Sequence, residues 1–188
     1  MYKICHVEES ARRQRELEQG LLDMMQIYPY KKITLTELCN KLSVPRKTFY
    51  RYFPSKTDCL LGLIDHTLSD CNDIALGEWN GETELDQQVI FRFFEYWKEH
   101  SAFLDAIEEN GFHNLLLDRT AVFVDRIKKK STSNSFARDQ VEYFVAHGLM
   151  TTVLRWHHFG YQSCAEEMAE VFSELLISPY VTITRLLL

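Results

Sequence analysis

With 188 residues, 46% hydrophobic, seven Gly and four Pro, the chain has the composition of a packed globule and excludes a disordered or collagen-like one. Its apolar runs, such as 115–117 and 186–188, fall far short of the roughly 20 residues of a membrane-spanning helix, and residues 1–6 (MYKICH) lack a secretory apolar stretch, so a cytoplasmic protein is expected. The net charge of −6 is unevenly placed: residues 1–58 carry 11 Lys/Arg against 7 Asp/Glu, a balance of +4, which leaves −10 for residues 59–188, so only the first part suits a polyanion.

Apolar residues at helical spacing recur almost throughout, and period-2 alternation is rare, which predicts an all-α fold. A first helix is expected over Ser10–Tyr28, with Leu17, Leu21, Met24 and Tyr28 on one face, ended by Pro29. The capping box Thr34-Leu-Thr-Glu37 opens a short helix to Leu42. Ser43-Val44-Pro45 then makes a turn, with Pro45 expected at the first position of a third helix reaching Phe53. After Pro54, a second box-like start from Ser55 to Asp58 launches a longer helix through Leu60, Ile64, Leu68, Cys71 and Ala75.

Gly77–Thr83 reads as a loop, followed by helices near Glu84–His100, Ser101–Glu109 and His113–Lys130 and a Ser/Thr/Asn connection to Ser135. Phe136–Phe159 is apolar on two faces, with Val141, Val145, Gly148 and Thr152 on one and Tyr143, His147, Met150 and Leu154 on another. Such a helix must be covered on more than one side. Gly160 stops it, and Ser163-Cys-Ala-Glu166 reads as a capping box for the final helix, which carries Met168, Val171, Phe172, Leu175 and Leu176.

Two short helices joined by a tight turn, the second rich in Arg, Lys, Thr and Tyr, are what a major groove accepts. The continuous stretch 29–56, PYKKITLTELCNKLSVPRKTFYRYFPSK, closely resembles the reader of the tetracycline-repressor (TetR) family. The resemblance implies a three-helix DNA-binding domain over residues 1–56. Behind it, residues 57–188 would form a helical domain that binds an effector and dimerises through its last two long helices. It further implies a transcriptional regulator, a repressor, acting as a homodimer on a palindromic duplex operator under control of an unknown small molecule. Carried over by position, Arg46, Lys47, Thr48 and Arg51 read base edges, Tyr50 and Tyr52 contact the backbone, and Thr36 and Lys56 anchor phosphates. Lys56 also lies in the first turn of its helix, where unbonded N–H groups attract a phosphate. The chain departs from the family pattern at Ser43, where a turn glycine is common, and at Pro45, where a capping serine is common.

Phe49 and Phe53 lie four apart on the face opposite Arg51 and are assigned to the core, as is Cys39. The five cysteines show no framework spacing, so free thiols are expected. No nucleophile elbow, phosphate loop or His-Glu-x-x-His pattern is present, so neither an enzyme nor a cofactor is expected. The 24 aromatic residues suit an apolar effector pocket near Phe94, Trp97, His113, Tyr143 and His147, or a solid core. The dimer face is assigned to Val141, Val145, Gly148, Thr152, Met168, Phe172 and Leu175, because the penultimate helix is apolar all round and Gly148 permits close approach. Two alternatives stay open: a metal-responsive regulator using His157, His158 and Cys164, with Cys5-His6 in an N-terminal arm, or a C-terminal domain that docks a protein.

Overall fold

Helix-forming periodicity and well-placed caps account for the helices of the described residues. The computed structural model describes residues 2, 4–5, 7–76, 87–128 and 136–177, and among these it contains nine α-helices and one 3-10 turn, with no strand. They are α1 (Glu8–Met25), the 3-10 turn (Tyr30–Lys32), α2 (Leu35–Lys41), α3 (Arg46–Tyr52) and α4 (Lys56–Leu76), then α5 (Gln87–Glu99), α6 (Ser101–Glu109), α7 (His113–Lys128), α8 (Phe136–His158) and α9 (Ala165–Ile177). The expected Gly77–Thr83 loop and residues 129–135 of the expected connection lie outside the described residues.

The caps explain the boundaries, including those the sequence placed differently. Thr34 Oγ1 accepts the Glu37 N–H at 3.2 Å and Glu37 Oε2 accepts the Thr34 N–H at 2.8 Å, a complete capping box. Ser55 Oγ accepts the Asp58 N–H at 3.0 Å and donates its own proton to Asp58 Oδ2 at 2.6 Å. At α9 the box is shifted one residue along. The Cys164 N–H donates to Glu167 Oε2 at 3.0 Å and the Glu167 N–H to Cys164 Sγ at 3.4 Å, while the carbonyl of Ser163 accepts the Trp156 indole N–H at 2.9 Å. Pro45 is the N-cap of α3, not its first helical residue, since its ψ of 143° is extended while its carbonyl already accepts the Thr48 N–H at 2.8 Å. The helix expected to reach Tyr28 ends at Met25, although the Tyr28 N–H still reaches Met24 O at 2.9 Å. Tyr28 precedes Pro29, and a residue before proline is driven out of the helical region.

Three helices close with the same paired bonds. At α2, α6 and α8 the second residue beyond the C-cap donates back five positions, and the first donates back three (Val44 to Cys39 and Ser43 to Asn40; Phe112 to Ile107 and Gly111 to Glu108; Tyr161 to Trp156 and Gly160 to His157). This geometry needs a left-handed residue. Gly111 (φ 68°) and Gly160 (φ 69°) supply it, but at the turn between α2 and α3 it falls on Ser43 (φ 53°). A non-glycine residue pays about 1–2 kcal/mol there, so Ser43→Gly is expected to stabilise the protein by about 0.5–1 kcal/mol after glycine's larger unfolded-state entropy is offset. Urea unfolding at fixed protein concentration measures it, and an unchanged midpoint would show that the serine is not strained.

The chain divides into two compact units, residues 1–68 with 102–147, and residues 69–101 with 148–188. In the first, Leu17, Leu21, Leu38, Phe49, Phe53, Ile64, Phe103 and Leu104 are fully buried. In the second, α5 lies along α9: Phe94 meets Phe172 at 5.3 Å and Trp156 edge-on at 5.6 Å, and Trp97, Val153 and Ala169 are buried in the same unit. Among the described residues no helix is long and apolar enough to cross a membrane.

Candidate nucleic-acid interface

The third helix has only seven residues, too few to hold itself, and is pinned by two phenylalanines. Phe49 and Phe53 are completely buried with rings 5.7 Å apart. Two fully buried aromatics contribute several kcal/mol of burial between them, about 1.5–3 each. Fixing that face leaves Arg46, Lys47, Tyr50 and Arg51 exposed and Thr48 and Tyr52 half-buried. The exposed side chains also order one another. Arg46 Nη2 donates to Tyr50 Oη at 3.2 Å with its guanidinium 5.9 Å from the Tyr50 ring, and the Arg51 guanidinium lies 6.0 Å from the Tyr52 ring. Thr36 is exposed in the first turn of α2. Cys39, as assigned, is buried, and burial pushes its thiol up.

Lys56 is engaged in a way the sequence did not indicate. Its Nζ donates to the carbonyls of Tyr30 at 2.7 Å and Ile33 at 2.6 Å, and lies 4.0 Å from the Tyr30 ring centroid. Burial draws the ammonium below its usual value, partly offset by Glu37. Two of the three N–H bonds of a lysine are thus committed to the loop between α1 and α2, which leaves one outside that cradle.

The five candidate effector residues are divided between the units. Phe94 and Trp97 are buried in the second, where burial pushes the Cys71 thiol up against a hydrogen bond from Trp97. In the first, His113 is half-buried at the start of α7, and on α8 the carbonyl of Tyr143 accepts from His147 Nδ1 at 2.9 Å. Of the metal candidates, His157 Nδ1 pairs with Tyr161 Oη at 2.8 Å, His158 sits against the Phe159 ring, Cys164 caps α9, and the Cys5 N–H donates to Gln14 Oε1 at 3.0 Å. His6 lies outside the described residues. Among the described residues no group of three or more His, Cys, Asp or Glu side chains is placed to hold a metal ion.

On α8, Met150 and Leu154 face inward, while Val145 and Thr152 are half-exposed and Gly148 is exposed, with nothing within 4 Å of where a Cβ would stand. The side chain of Val141 lies outside the described residues. On α9, Met168 and Phe172 are half-buried and Leu175 is exposed. Absent from the assigned dimer face but more open than most of it are Phe144, 76% exposed, and Val171, 62% exposed.

Over 156 residues the chain is 36% identical to the nucleoid occlusion factor SlmA of Idiomarina loihiensis, a TetR-family protein, with 78% of this chain and 80% of that relative covered. The chain belongs to the TetR family. No family model matches it. Solved TetR regulators share the fold at low identity. One from Streptomyces coelicolor matches with a TM-score of 0.54 and 18% identity, covering 87% of this chain and 79% of that one. Another from Streptococcus agalactiae 2603V gives 0.57 and 15%, covering 89% and 95%. A further solved structure, Lin0861 of Listeria innocua, also shares the fold, with a TM-score of 0.63 and 13% identity, covering 92% of this chain and 94% of that one. TetR members are non-enzymatic, DNA-binding regulators that dimerise. The all-α fold and the family read from residues 29–56 are therefore correct.

Proposed function

We propose that this TetR protein reads a near-palindromic duplex as a two-fold homodimer, with residues 1–56 as the reader and residues 57–188 as the dimerising and regulatory part. The observation that carries the reading is α3, pinned by Phe49 and Phe53 so that Arg46, Lys47, Tyr50 and Arg51 stand in solvent. Thr48 joins the base readers, Tyr52 the backbone contacts, and Thr36 and Lys56 the phosphate anchors. One seven-residue helix is too short to specify a site alone, and two-fold pairing doubles the sequence read. Arg46→Ala is expected to cost about 1–3 kcal/mol on the best site and relax its preference. Lys56→Ala is expected to weaken binding to all sequences alike and lower the salt slope by about one per subunit. Fluorescence anisotropy over a salt series tests both, and unchanged affinity in the two variants would remove the assignment.

For the output, the reading is repression from the cytoplasm, relieved by a small organic effector held by the 57–188 part. A second reading follows from the similarity to SlmA: a DNA-bound factor acting in nucleoid occlusion. A chromosome-wide binding map separates them. Operator control needs few sites, placed beside promoters, whereas marking the nucleoid needs many sites spread along the chromosome.

A further inference from the structure

The loop between α1 and α2 has little of its own to hold it. Pro29 has no N–H, and the 3-10 turn closes with the Lys32 N–H to Pro29 O at 2.8 Å and the Ile33 N–H to Tyr30 O at 3.2 Å. Its remaining anchors come from far along the chain. The Tyr30 N–H donates to Asn110 Oδ1 at 2.6 Å, eighty residues away, and the rings of Tyr30 and Phe112 meet edge to face at 5.2 Å. Gln26 Nε2 donates to Ala102 O at 2.6 Å, so both ends of α6 grip the loop. Asn110 is itself fixed, because its Nδ2 donates to Ala106 O at 2.9 Å and the left-handed Gly111 closes the helix behind it. Held on one side by Asn110 and Phe112, Tyr30 holds Lys56 on the other through its carbonyl and ring, while its hydroxyl lies 3.3 Å from Thr57 Oγ1.

We propose that Asn110 and Phe112 are positioning residues for DNA binding, acting through Tyr30 to seat the Lys56 ammonium where its remaining N–H meets a phosphate. The inference rests on the reading of Lys56 as a phosphate contact. An unsupported lysine loses its rotamer freedom when it grips DNA, whereas one already seated on two carbonyls has lost it on folding. A turn between α6 and α7 thereby sets affinity without contributing a contact of its own.

A double-mutant cycle on a short random-sequence duplex tests this, since phosphate contacts are sequence-independent. Wild type, Asn110→Ala, Lys56→Ala and the double variant are titrated over a salt series, with thermal melting as the check on folding. Asn110→Ala is expected to weaken binding about 3- to 10-fold and to move the salt slope toward that of Lys56→Ala. The double variant is expected to bind no worse than Lys56→Ala alone, an outcome that a merely structural asparagine would not give. Phe112→Leu, which keeps apolar volume without the edge-on ring, is expected to shift the slope in the same direction and serves if Asn110→Ala does not fold. Full affinity in Asn110→Ala alongside a loss in Lys56→Ala would overturn the positioning role, as would additive losses in the double variant. No effect of Lys56→Ala would instead remove the phosphate reading, and the inference with it.

Discussion

Arg119→Ala is expected to destabilise the protein by about 3–5 kcal/mol, the range for removing one partner of a buried ion pair. Asp65 is 3% exposed in the middle of α4. Its carboxylate receives Arg119 Nε at 2.7 Å and Nη2 at 2.5 Å, a bidentate pair, and the Tyr2 hydroxyl at 2.5 Å. Burial works against the Arg119 cation, but hydrogen bonding and the charge of Asp65 outweigh it and raise its pKa. Removing the guanidinium leaves the carboxylate in a site too dry for it, and the cost exceeds whatever the intact pair contributes. Adding Asp65→Asn to Arg119→Ala should therefore recover part of the stability, because the stranded charge is gone. Urea unfolding at one fixed protein concentration reads both variants. An equal loss in the single and double variants would assign the effect to lost packing. The loss would reach the reader, since the Tyr2 ring lies 5.7 Å from that of Phe53, just past the end of α3.

What the sequence disclosed was mostly local. The Thr34–Glu37 box, the Ser43 turn and the alternation of Phe49 and Phe53 with basic residues each depend on neighbours within a few positions, and each is found where periodicity and capping chemistry put it. The arrangement around Lys56 was hidden because its cradle is made of backbone carbonyls and set by Asn110 and Phe112, whose identities say nothing about a partner so distant in the chain. The α9 cap moved from Ser163 to Cys164 because both frames offer a glutamate three residues on. A thiol acceptor is also a weak pattern to read in advance. On α8 the difficulty was phase. A helix apolar all round gives no preferred face, and beside the half-exposed Val145 and Thr152 of the assigned face Phe144 is the more open side chain. Aromatic content could not separate a pocket from a core for the same reason: Phe94 and Trp97 have to be buried in either case.

Gly148→Arg is expected to convert the dimer to a folded monomer and lower operator affinity by more than about 100-fold. The fold-change follows from valency. A two-fold dimer binds its second half-site as an intramolecular event, and losing that linkage costs about 10²–10⁴ in apparent affinity without changing any single contact. The site is chosen because the protomer can accept the change: a Cβ at Gly148 meets nothing within 4 Å, and arginine is about 1 kcal/mol better than glycine inside a helix. The cost should fall on a partner alone. Phe144 lies one turn away on the same helix at 76% exposure, and Val171 and Leu175 stand out from α9 at 62% and 49%. Large apolar side chains left this open are expected to be covered in solution, and a second copy of the chain supplies matching ones. Phe144→Ser removes apolar area without adding bulk, and should weaken the dimer by less than Gly148→Arg while leaving the protomer's circular dichroism unchanged. Light scattering measures the mass and anisotropy the DNA affinity on the same samples. If Gly148→Arg stays dimeric, the interface lies on another face of the molecule; if it is monomeric yet binds the operator at full strength, pairing of two readers is not the basis of recognition.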